Sequence, residues 1–574
     1  MIKIKILDMM KHNLKKIVSA SVLLVVMLFP VSCSEDWNEH YDATVTSTNT
    51  LWEAISSQSN LSNFSRVVEA CGYDLVLNGS QTFSVFAPTN EALSSVEADS
   101  LIAEFQAQKN AGTRSDDNTV VRQFLQNHIA LYKHPVSSLT NDSITMMNSK
   151  YEVLTNALLG NSKLLTSNVL FNNGVLFTVD KKLDYFPNVF EYLGHDSELD
   201  SVYNFLNSYS VYEFNEAKSV PGEIVDGQTV YLDSVSDLKN SLFNSLGLIN
   251  SEDSTYWLLA PTNAEWNRLL EEYEPYFNYS NDVPKRDSMV YANSRLAIVS
   301  GSVFSRTMNK DEAFRDSAVS TTAVSYSTRR ILGQDSPYYT YFKPFDSGGI
   351  FDGTEDIVCS NGHVRKAPQF RLSKFDTFAQ TVKVEGENIA YQNKISNAID
   401  PLIVRQVPVD NPFYNKVSGN TYVEIAPDPA TASVNVTYDV PNLLSNMEYD
   451  VYGVFVPATA FDTLAVEEGN KPTIVFINRV SYTDQNGVAA YIRVRSDFET
   501  KPGVVDTVLF AKQLVIPTSS FGLSEPQVSI DFSCNVRSSQ TATYTRTLRL
   551  DCIIFKPHDL NATEDESAKR NQIN

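Results

Sequence analysis

The tetrapeptide Ala-Pro-Thr-Asn occurs twice in the chain, each time directly after a short apolar run. The first copy lies in TFSVFAPTNEAL, residues 82–93, and the second in TYWLLAPTNAEW, residues 255–266. The residues before the tetrapeptide alternate with the period of two that is typical of a strand. Proline has no N–H to donate to a sheet, so Pro88 and Pro261 are predicted to end the two strands. At both places we therefore expect a buried strand that ends in a sharp turn.

The residues after each proline predict the start of a helix. Asn90 is a good N-cap for a helix that begins at Glu91. In the second copy, Thr262 and Glu265 have the spacing of a capping box. Because each of these residues has a structural explanation, the duplication indicates a repeated fold and not two copies of an active site.

Two further motifs follow the first copy in a fixed order. A helical pattern over residues 119–133 contains His128, and NGVLFTVD, residues 173–180, predicts a turn and an apolar strand. Over residues 50–185 this order resembles the fasciclin domain. The resemblance implies an α+β fold and adhesion to cells, matrix or carbohydrate. His128 matches the central histidine of the family, so we expect it to hold the fold together; the alternative is a ligand or a base.

Residues 186–374 contain the second copy in a more divergent setting. The closing motif is weaker, NGHVRKAPQFRL at residues 361–372, and Ala367 stands where the family has an aspartate. We expect a degenerate fasciclin-like domain with a loop insertion; the alternative is that only the first motif is shared. The loop carries Tyr338, Tyr339 and Tyr341. They are the candidate ligand-binding residues, because flat rings suit the apolar faces of sugars, unless they cover the core of their own domain.

The remainder of the chain has a different residue pattern. Short runs that alternate in period two fill residues 375–560 and predict an antiparallel β-sandwich. The last run, YTRTLRLDCIIFKP, is similar to the final strand of jelly-roll carbohydrate-binding modules. Residues 561–574 are polar and predict a disordered tail. The expected fold class is thus α+β fasciclin domains in tandem, followed by an all-β antiparallel sandwich of jelly-roll type.

The N-terminus predicts an export signal and an anchor. A basic segment precedes an apolar run over residues 17–31, and Ser32-Cys33 follows at once. This resembles the lipobox of bacterial lipoproteins, which implies that residues 1–33 form the signal peptide and that Cys33 carries the lipid. Residues 34–49 predict a polar tether. Its start, Ser34-Glu35-Asp36, resembles the surface-export tag of the Bacteroidota. We expect attachment to the outer membrane through the lipid, facing the exterior.

Charge and cysteine content exclude several classes of function. The formal net charge is −22, so a nucleic-acid partner is not expected. The five cysteines form no CxxC pair and no cluster with zinc spacing, so no metal or other cofactor is expected. Cys534 and Cys552 lie on two predicted strands, and whether they form a disulfide is left open.

The sequence also lacks the common catalytic signatures. GxSxG, HExxH, Walker A and GxGxxG are all absent. Among the 68 Asp and Glu residues, the sequence does not single out a catalytic pair. We therefore expect a surface lipoprotein that is not an enzyme and that serves adhesion or glycan binding. Polysaccharide and a TonB-dependent transporter complex are the expected partners. The alternative is a structural accessory subunit that binds a protein and contacts no glycan.

Overall fold

The computed structural model describes residues 48–304, 317–319, 340–462 and 470–560. They form two compact units. The first unit contains residues 48–185 and 214–236, and the second contains residues 186–213 and 237–560. Two features differ from the domain limits expected from sequence. Residues 214–236 belong with the first unit, and residues 186–374 are not separate from the strands that follow them.

The helices of the first unit begin where their capping residues lie. They are α1 (Leu51–Ser57), α2 (Ser62–Ala70), α3 (Tyr73–Asn78) and α4 (Ser95–Asn110). Thr50 and Glu53 form a capping box at the start of α1. Ser94 and Glu97 form another at the start of α4. Between α2 and α3, Gly72 takes left-handed backbone at φ 78°, which glycine adopts without steric cost.

The first unit is built around a seven-stranded sheet in the order β2-β1-β7-β6-β5-β4-β3. Its strands are β1 (Phe83–Pro88), β2 (Ile129–Leu131), β3 (Asn141–Thr145), β4 (Tyr151–Thr155), β5 (Leu158–Leu159), β6 (Ser162–Phe171) and β7 (Gly174–Val179). β1 runs antiparallel to β2 and parallel to β7. Every residue of β1 is buried, which explains why this strand is an apolar run.

The helix predicted over residues 119–133 is shorter in the structure. Val120–Leu125 is a π-helical segment, Gln126–His128 is a 3₁₀ turn, and β2 begins at Ile129. The chain leaves the helix at this point because Ile129 pairs with Val85 of β1. A long-range strand pairing therefore overrides the local helical pattern.

The segment 214–236 joins the first unit through a buried carboxylate. The strands here are β8 (Ser210–Phe214), β9 (Val220–Val225), β10 (Gln228–Asp233) and β11 (Ser236–Asn240), with β9 paired to β10 and β8 to β11. Asp233 accepts hydrogen bonds from Tyr73 Oη at 2.9 Å and Gln126 Nε2 at 3.3 Å. Val220 is buried in the same apolar cluster as α1, α2 and α3. These contacts explain why residues 214–236 group with the first unit.

The second unit begins with helices and a smaller sheet. The helices are α5 (Val189–His195), α6 (Asp200–Asn207), α7 (Phe243–Leu246), α8 (Asn263–Tyr273) and α9 (Arg286–Val299). The strands are β12 (Tyr256–Pro261), β13 (Val303–Phe304), β14 (Ser317–Val319), β15 (Thr340–Phe342), β16 (Glu355–Cys359) and β17 (Gly362–Ala367). Four of them form a sheet in the order β13-β12-β17-β16, and β14 pairs with β15.

The two Ala-Pro-Thr-Asn strands are paired in the same way. β1 lies parallel to β7 with Phe83 opposite Gly174, and β12 lies parallel to β17 with Tyr256 opposite Gly362. A Cβ atom at either glycine would collide with the carbonyl oxygen of the residue opposite. The glycine of each Asn-Gly pair is thus required by the close approach of the partner strand.

Asn90, the asparagine of the first Ala-Pro-Thr-Asn copy, has a different role from the one predicted. The helix after the first copy begins at Ser95 with Ser94 as its N-cap, so the prediction that Asn90 caps a helix at Glu91 is wrong. Asn90 Oδ1 instead accepts from the Asn63 backbone N–H of α2 at 3.0 Å, and its Nδ2 donates to the Ser59 carbonyl at 2.8 Å. Asn90 therefore links the turn after β1 to the leading helices.

Asn263 makes the corresponding contacts in the second unit. Its Oδ1 accepts from the Ser201 N–H of α6 at 2.8 Å, and its Nδ2 donates to the Ser197 carbonyl at 2.7 Å. Thr262 is the N-cap of α8, as predicted, and its Oγ1 accepts from the Glu265 N–H at 3.4 Å. The Glu265 carboxylate does not complete the capping box; it accepts from the Phe370 N–H at 2.8 Å.

Two antiparallel sheets follow the short helix α10 (Lys374–Thr377). The strands are β18 (Val382–Glu385), β19 (Gln392–Ser396), β20 (Ile403–Gln406), β21 (Thr421–Ile425), β22 (Asn435–Val440), β23 (Glu448–Phe455), β24 (Ile474–Thr483), β25 (Ala489–Glu499), β26 (Asp506–Val515), β27 (Val528–Cys534) and β28 (Leu548–Pro557). One sheet has the order β20-β21-β28-β23-β26 with β18 also on β28, and the other has the order β19-β22-β27-β24-β25. The prediction of many antiparallel strands is confirmed.

The core of these sheets continues into residues 186–374. Phe277 packs against Phe521 with ring centroids 5.4 Å apart and against Phe378 at 5.5 Å. Tyr279 Oη donates to the Phe521 carbonyl at 2.9 Å, and Ser445 Oγ donates to the Pro275 carbonyl at 2.8 Å. One large apolar cluster therefore extends through both parts of the second unit, and a smaller cluster lies around Val407, Tyr422 and Val456.

Candidate functional site

The structure places the predicted aromatic loop only in part. Cys33, Tyr338 and Tyr339 lie outside the described residues. Tyr341 is half-buried on β15 and packs edge-on against Phe304, with ring centroids 5.9 Å apart. This contact favours the alternative in which Tyr341 covers the core, while the ligand-binding role of the three tyrosines stays a prediction.

His128 is fully enclosed in the first unit. Its Nδ1 lies 2.7 Å from the Phe124 carbonyl, and its Nε2 lies 3.0 Å from the Leu183 N–H. A carbonyl can only accept and an amide can only donate, so Nδ1 carries the proton and Nε2 is the acceptor. Burial lowers the pKa of His128 to about 4. Both ring nitrogens are engaged with backbone groups, which is the geometry of a structural histidine.

The second unit contains one acidic cluster that could hold a cation. Ligand atoms of Glu385, Asp551 and Cys552 lie within 4.8 Å of one another. Burial raises the pKa of Asp551 to about 7, opposed by hydrogen bonds from the Ser418 N–H. Lys383 Nζ lies 3.1 Å from Glu385 and already supplies one positive charge there. The two carboxylates suit Ca²⁺, whereas the Cys552 sulfur is a soft ligand that Ca²⁺ does not use.

The four described cysteines are all free thiols. Cys534 lies on β27 and Cys552 on β28, which belong to different sheets. Burial raises the pKa of both thiols. A buried neutral thiol is a poor nucleophile, so neither cysteine has the environment of a reactive residue.

A surface that the sequence did not single out lies on the outward face of β24 and β25. We call it the Arg–Tyr surface and define it by Arg479, Tyr491, Arg493 and Arg495. On β25 the residues from Ala489 to Glu499 alternate between exposed and half-buried, so Tyr491, Arg493 and Arg495 all face solvent. β25 is the edge strand of its sheet, and the inward side chains of neighbouring β24 and β27 are buried.

Strand register brings the four residues together. Arg479 lies directly opposite Arg493, and Ser481 lies directly opposite Tyr491. The guanidinium carbon of Arg479 is 5.4 Å from the centre of the Tyr491 ring, and that of Arg493 is 5.3 Å from it. Arg493 Nη2 also donates to Tyr491 Oη at 2.8 Å. The tyrosine ring is therefore held near two cationic groups by cation–π attraction.

The Arg–Tyr surface carries more positive than negative side chains. Arg479 forms an ion pair with Asp531 of β27, with Nε 2.6 Å from Oδ2. Among the described residues, Arg493 and Arg495 have no carboxylate within ion-pair distance. The hydrogen bond and charge of Arg493, with smaller effects from Arg479 and Arg495, lower the pKa of Tyr491. Asp531 is thus ion-paired with one of the three guanidinium groups, and Asp497 is a second carboxylate on the exposed face of β25.

A polar row continues from this surface across the sheet. Four residues on neighbouring strands lie opposite one another in the order Thr437 (β22), Asp531 (β27), Arg479 (β24) and Arg493 (β25). Thr437 Oγ1 donates to Asp531 Oδ1 at 2.9 Å. The row offers hydroxyl, carboxylate and guanidinium groups on one exposed face, as a hydroxyl-rich ligand requires. The run Tyr-x-Arg-x-Arg in AAYIRVRSD is the sequence signal that could have identified it.

A depression near one end of the sheets is too small for such a ligand. It is lined by residues that include Thr473, Thr500 and Arg549, and its cavity volume is about 20 Å³. That volume holds a single water molecule and no sugar ring. The Arg–Tyr surface is open and is not limited by such a volume.

Comparison with known proteins identifies one domain. Residues 59–185 match the family model of the fasciclin domain, so the first unit contains a fasciclin domain. No curated protein matches the chain. Among the described residues, no helix combines the length and the apolar character that crossing a bilayer requires.

Three solved structures show similarity at low identity. The FAS1 domain pair of the insect cell adhesion molecule fasciclin I is 14% identical with a TM-score of 0.20, covering 55% of this chain and 98% of that one. The CBM22-1 xylan-binding domain of Paenibacillus barcinonensis Xyn10C is 12% identical with a TM-score of 0.19, covering 31% and 94%. The CBM22-1–GH10 modules of Clostridium thermocellum xylanase 10B, complexed with xylohexaose, are 10% identical with a TM-score of 0.19, covering 31% and 28%.

Proposed function

We propose that this protein is a non-catalytic adhesion protein of the bacterial cell surface that binds glycan. The fasciclin domain at residues 59–185 is the observation that carries the proposal, because fasciclin domains serve adhesion. The Arg–Tyr surface supports glycan as the ligand. It presents an exposed aromatic ring beside a row of polar side chains on a sheet that its buried face keeps rigid.

The proposed architecture extends the fasciclin scheme to the second unit. Residues 186–374 are a second, degenerate fasciclin domain in this proposal. The support is the shared register of β1–β7 and β12–β17 and the matching contacts of Asn90 and Asn263. Residues 375–560 are a jelly-roll-like sandwich, supported by two antiparallel sheets with one apolar cluster.

The proposed location is the outer membrane of a Bacteroidota-type bacterium, with a lipid on Cys33. The apolar run over residues 17–31 before Ser32-Cys33 supports it. Labelling of growing cells with radioactive palmitate tests the anchor: the wild-type protein takes up label, and the Cys33→Ala variant does not. A TonB-dependent transporter complex is the proposed membrane partner.

The ligand-binding role is tested on the protein from Ser34 to Asn574, which retains all described residues. Native electrophoresis through gels that contain single polysaccharides measures retardation. We expect at least one polysaccharide to retard the protein, and Tyr491→Ala to weaken the retardation. If no polysaccharide retards it, the alternative of a structural accessory subunit that binds a protein partner is favoured.

The absence of catalysis is tested with the same material. Each polysaccharide is incubated with the protein, and new reducing ends are measured. We expect none, because binding to an exposed sheet face brings no enclosed acid–base pair to the glycosidic bond. Release of reducing ends above that of a heat-denatured sample would contradict the non-catalytic proposal.

A further inference from the structure

We infer that the Arg–Tyr surface binds an acidic glycan, with Arg493 and Arg495 on a carboxylate or sulfate group and Tyr491 against the sugar ring. This inference rests on the proposed function of glycan binding. It names the chemical class of the ligand and the residues that select it.

The first support is an arrangement that costs folding stability. Arg479 and Arg493 are directly opposite each other on neighbouring strands, where like charges are destabilising. Asp531 relieves only one of them, since its carboxylate pairs with Arg479. Arg493 has Tyr491 as its hydrogen-bond partner, which does not neutralise its charge. An anion bound at Arg493 reduces this repulsion, because it neutralises the guanidinium group that Asp531 does not pair with.

The second support is a β-bulge at Arg495. Ile477 pairs with Ser496 and Arg479 pairs with Arg493, so β25 has one more residue than β24 in this interval. Arg495 lies in the extra stretch with a φ of 50°, a left-handed conformation that arginine seldom adopts. Bulges re-aim side chains at sheet edges and beside functional sites. Arg495 stays on the exposed face of β25 and is close enough to Tyr491 to contribute to its lowered pKa.

The third support is the match between these groups and an acidic sugar. A guanidinium group offers a planar fork that binds both oxygens of a carboxylate or sulfate. The Tyr491 side chain is 45% exposed, so its ring is accessible to the apolar face of a pyranose. A sugar ring on Tyr491 therefore places its acidic substituent within reach of Arg493.

The charge of the whole chain does not oppose this contact at physiological salt. The formal net charge is −22, so distant carboxylates repel a polyanion. Screening limits that repulsion to about 8 Å at physiological ionic strength. Within that distance the guanidinium groups of the Arg–Tyr surface dominate, and a positive patch on an acidic protein favours a local, specific site over general adsorption.

The experiment measures binding of the protein from Ser34 to Asn574 to three polymers by isothermal titration calorimetry. The probes are polygalacturonate, dextran sulfate and neutral dextran, at 50 and 500 mM NaCl. The test variant is Arg493→Ala/Arg495→Ala. The matched control is Lys416→Ala/Lys512→Ala, which removes the same charge from exposed positions outside the sheet that carries the Arg–Tyr surface. Both variants keep all buried side chains, and thermal unfolding confirms that they fold.

We expect at least one acidic polymer to bind, more weakly at 500 mM NaCl, and the arginine variant to lose about tenfold to a hundredfold in affinity. The lysine control is expected to change less than about threefold. Binding of polygalacturonate alone identifies a carboxylate, and binding of dextran sulfate alone identifies a sulfate. Either result supports the inference.

Three outcomes overturn it. Equal losses in the arginine and lysine variants show general electrostatic adsorption. Binding of neutral dextran, or of another neutral polysaccharide in the gel experiment, with no acidic polymer bound overturns the inference and leaves the proposed function intact. Failure of every polysaccharide to bind overturns both.

Discussion

His128 shows how a single residue connects burial to pH dependence. Both of its ring nitrogens are hydrogen-bonded to backbone groups, and burial lowers its pKa to about 4. The unfolded chain takes up a proton near pH 6.5, whereas the folded protein does not until about pH 4. The free energy of unfolding therefore falls as pH decreases through this interval, by about 1.4 kcal/mol per unit and about 3 kcal/mol in all.

The variant His128→Gln tests this account. It is less stable than wild type at pH 7 because it loses the fitted ring, but its stability depends less on pH between 6.5 and 4. Urea unfolding, followed by hydrogen exchange of β1 and β2, measures both effects. His195→Gln replaces an exposed histidine and serves as control. An unchanged pH dependence in His128→Gln would contradict the account.

Asp551 has the opposite pH dependence. Burial raises its pKa to about 7, well above the value near 3.9 in an unfolded chain. The folded state therefore binds the proton more tightly, and its contribution to stability is lost as pH rises from about 4 through 7. The variant Asp551→Asn keeps an acceptor for the Ser418 N–H without the charge.

We expect Asp551→Asn to be more stable than wild type at pH 8, with the difference vanishing at pH 4. Thermal unfolding in EDTA measures it, and Asp439→Asn on the outward face of β22 is the control. A repeat with 5 mM CaCl₂ examines the acidic cluster directly. Loss of stability in Asp551→Asn that appears only with calcium would contradict the account of an isolated buried carboxyl and indicate a bound cation.

At the scale of elements, the Asn-Gly pairs join strands to helices through the asparagine side chain. Asn173 Oδ1 accepts from the Leu51 N–H of α1 at 2.8 Å, and Nδ2 donates to the Leu77 and Gly79 carbonyls at 2.8 Å each. Asn361 repeats this pattern with the Val189 N–H and with the Ile249 and Ser251 carbonyls. In both units a buried asparagine side chain accepts from the first N–H of a helix and donates to two backbone carbonyls.

Asn173→Ala removes three of these hydrogen bonds and leaves buried backbone groups without partners. We expect the first unit to lose about 2–4 kcal/mol of stability. Urea unfolding measures the loss, with the exposed neighbour Asn172→Ala as control. A loss below about 0.5 kcal/mol would show that water satisfies these groups and would contradict a structural role for the side chain.

These contacts mark the limit of what sequence predicts. The strands that end at Pro88 and Pro261 and the Thr262 cap follow from local propensity. Local propensity places Asn90 at the start of the nearest helix, but its partners, Asn63 of α2 and Ser59, lie 27 and 31 residues away. Local pattern carries no information about such distant partners. For the same reason local pattern does not show that residues 214–236 join the first unit, because Tyr73 and Gln126, the partners of Asp233, lie more than 100 residues away in the sequence.

The candidate site was missed for a related reason. Arg493 and Tyr491 are visible in the sequence as a strand of alternating residues, but Arg479 reaches them only through strand pairing. The extra residue of the bulge depends on that pairing too. Alternation predicts which residues face solvent. The pairing of β24 with β25 is what brings Arg479 next to the arginines of β25.

For the whole molecule, the shared core predicts that the second unit unfolds as one body. Phe521, only 3% exposed, lies between the antiparallel sheets and residues 186–374, where it contacts Phe277 and accepts a hydrogen bond from Tyr279. Phe521→Ala leaves a cavity that costs about 3–5 kcal/mol. Because both regions depend on this contact, hydrogen exchange should accelerate in β12 as well as in β24 and β27.

The matched control is Phe461→Ala, which removes the same atoms from a side chain that is 46% exposed. It should cost less than about 1 kcal/mol, since little apolar surface is returned to water. Exchange is measured by mass spectrometry in the urea range just below the unfolding transition. If Phe521→Ala accelerates exchange in the antiparallel sheets while β12 keeps its wild-type protection, the two regions unfold separately, and binding by residues 375–560 can be studied apart from the rest of the chain.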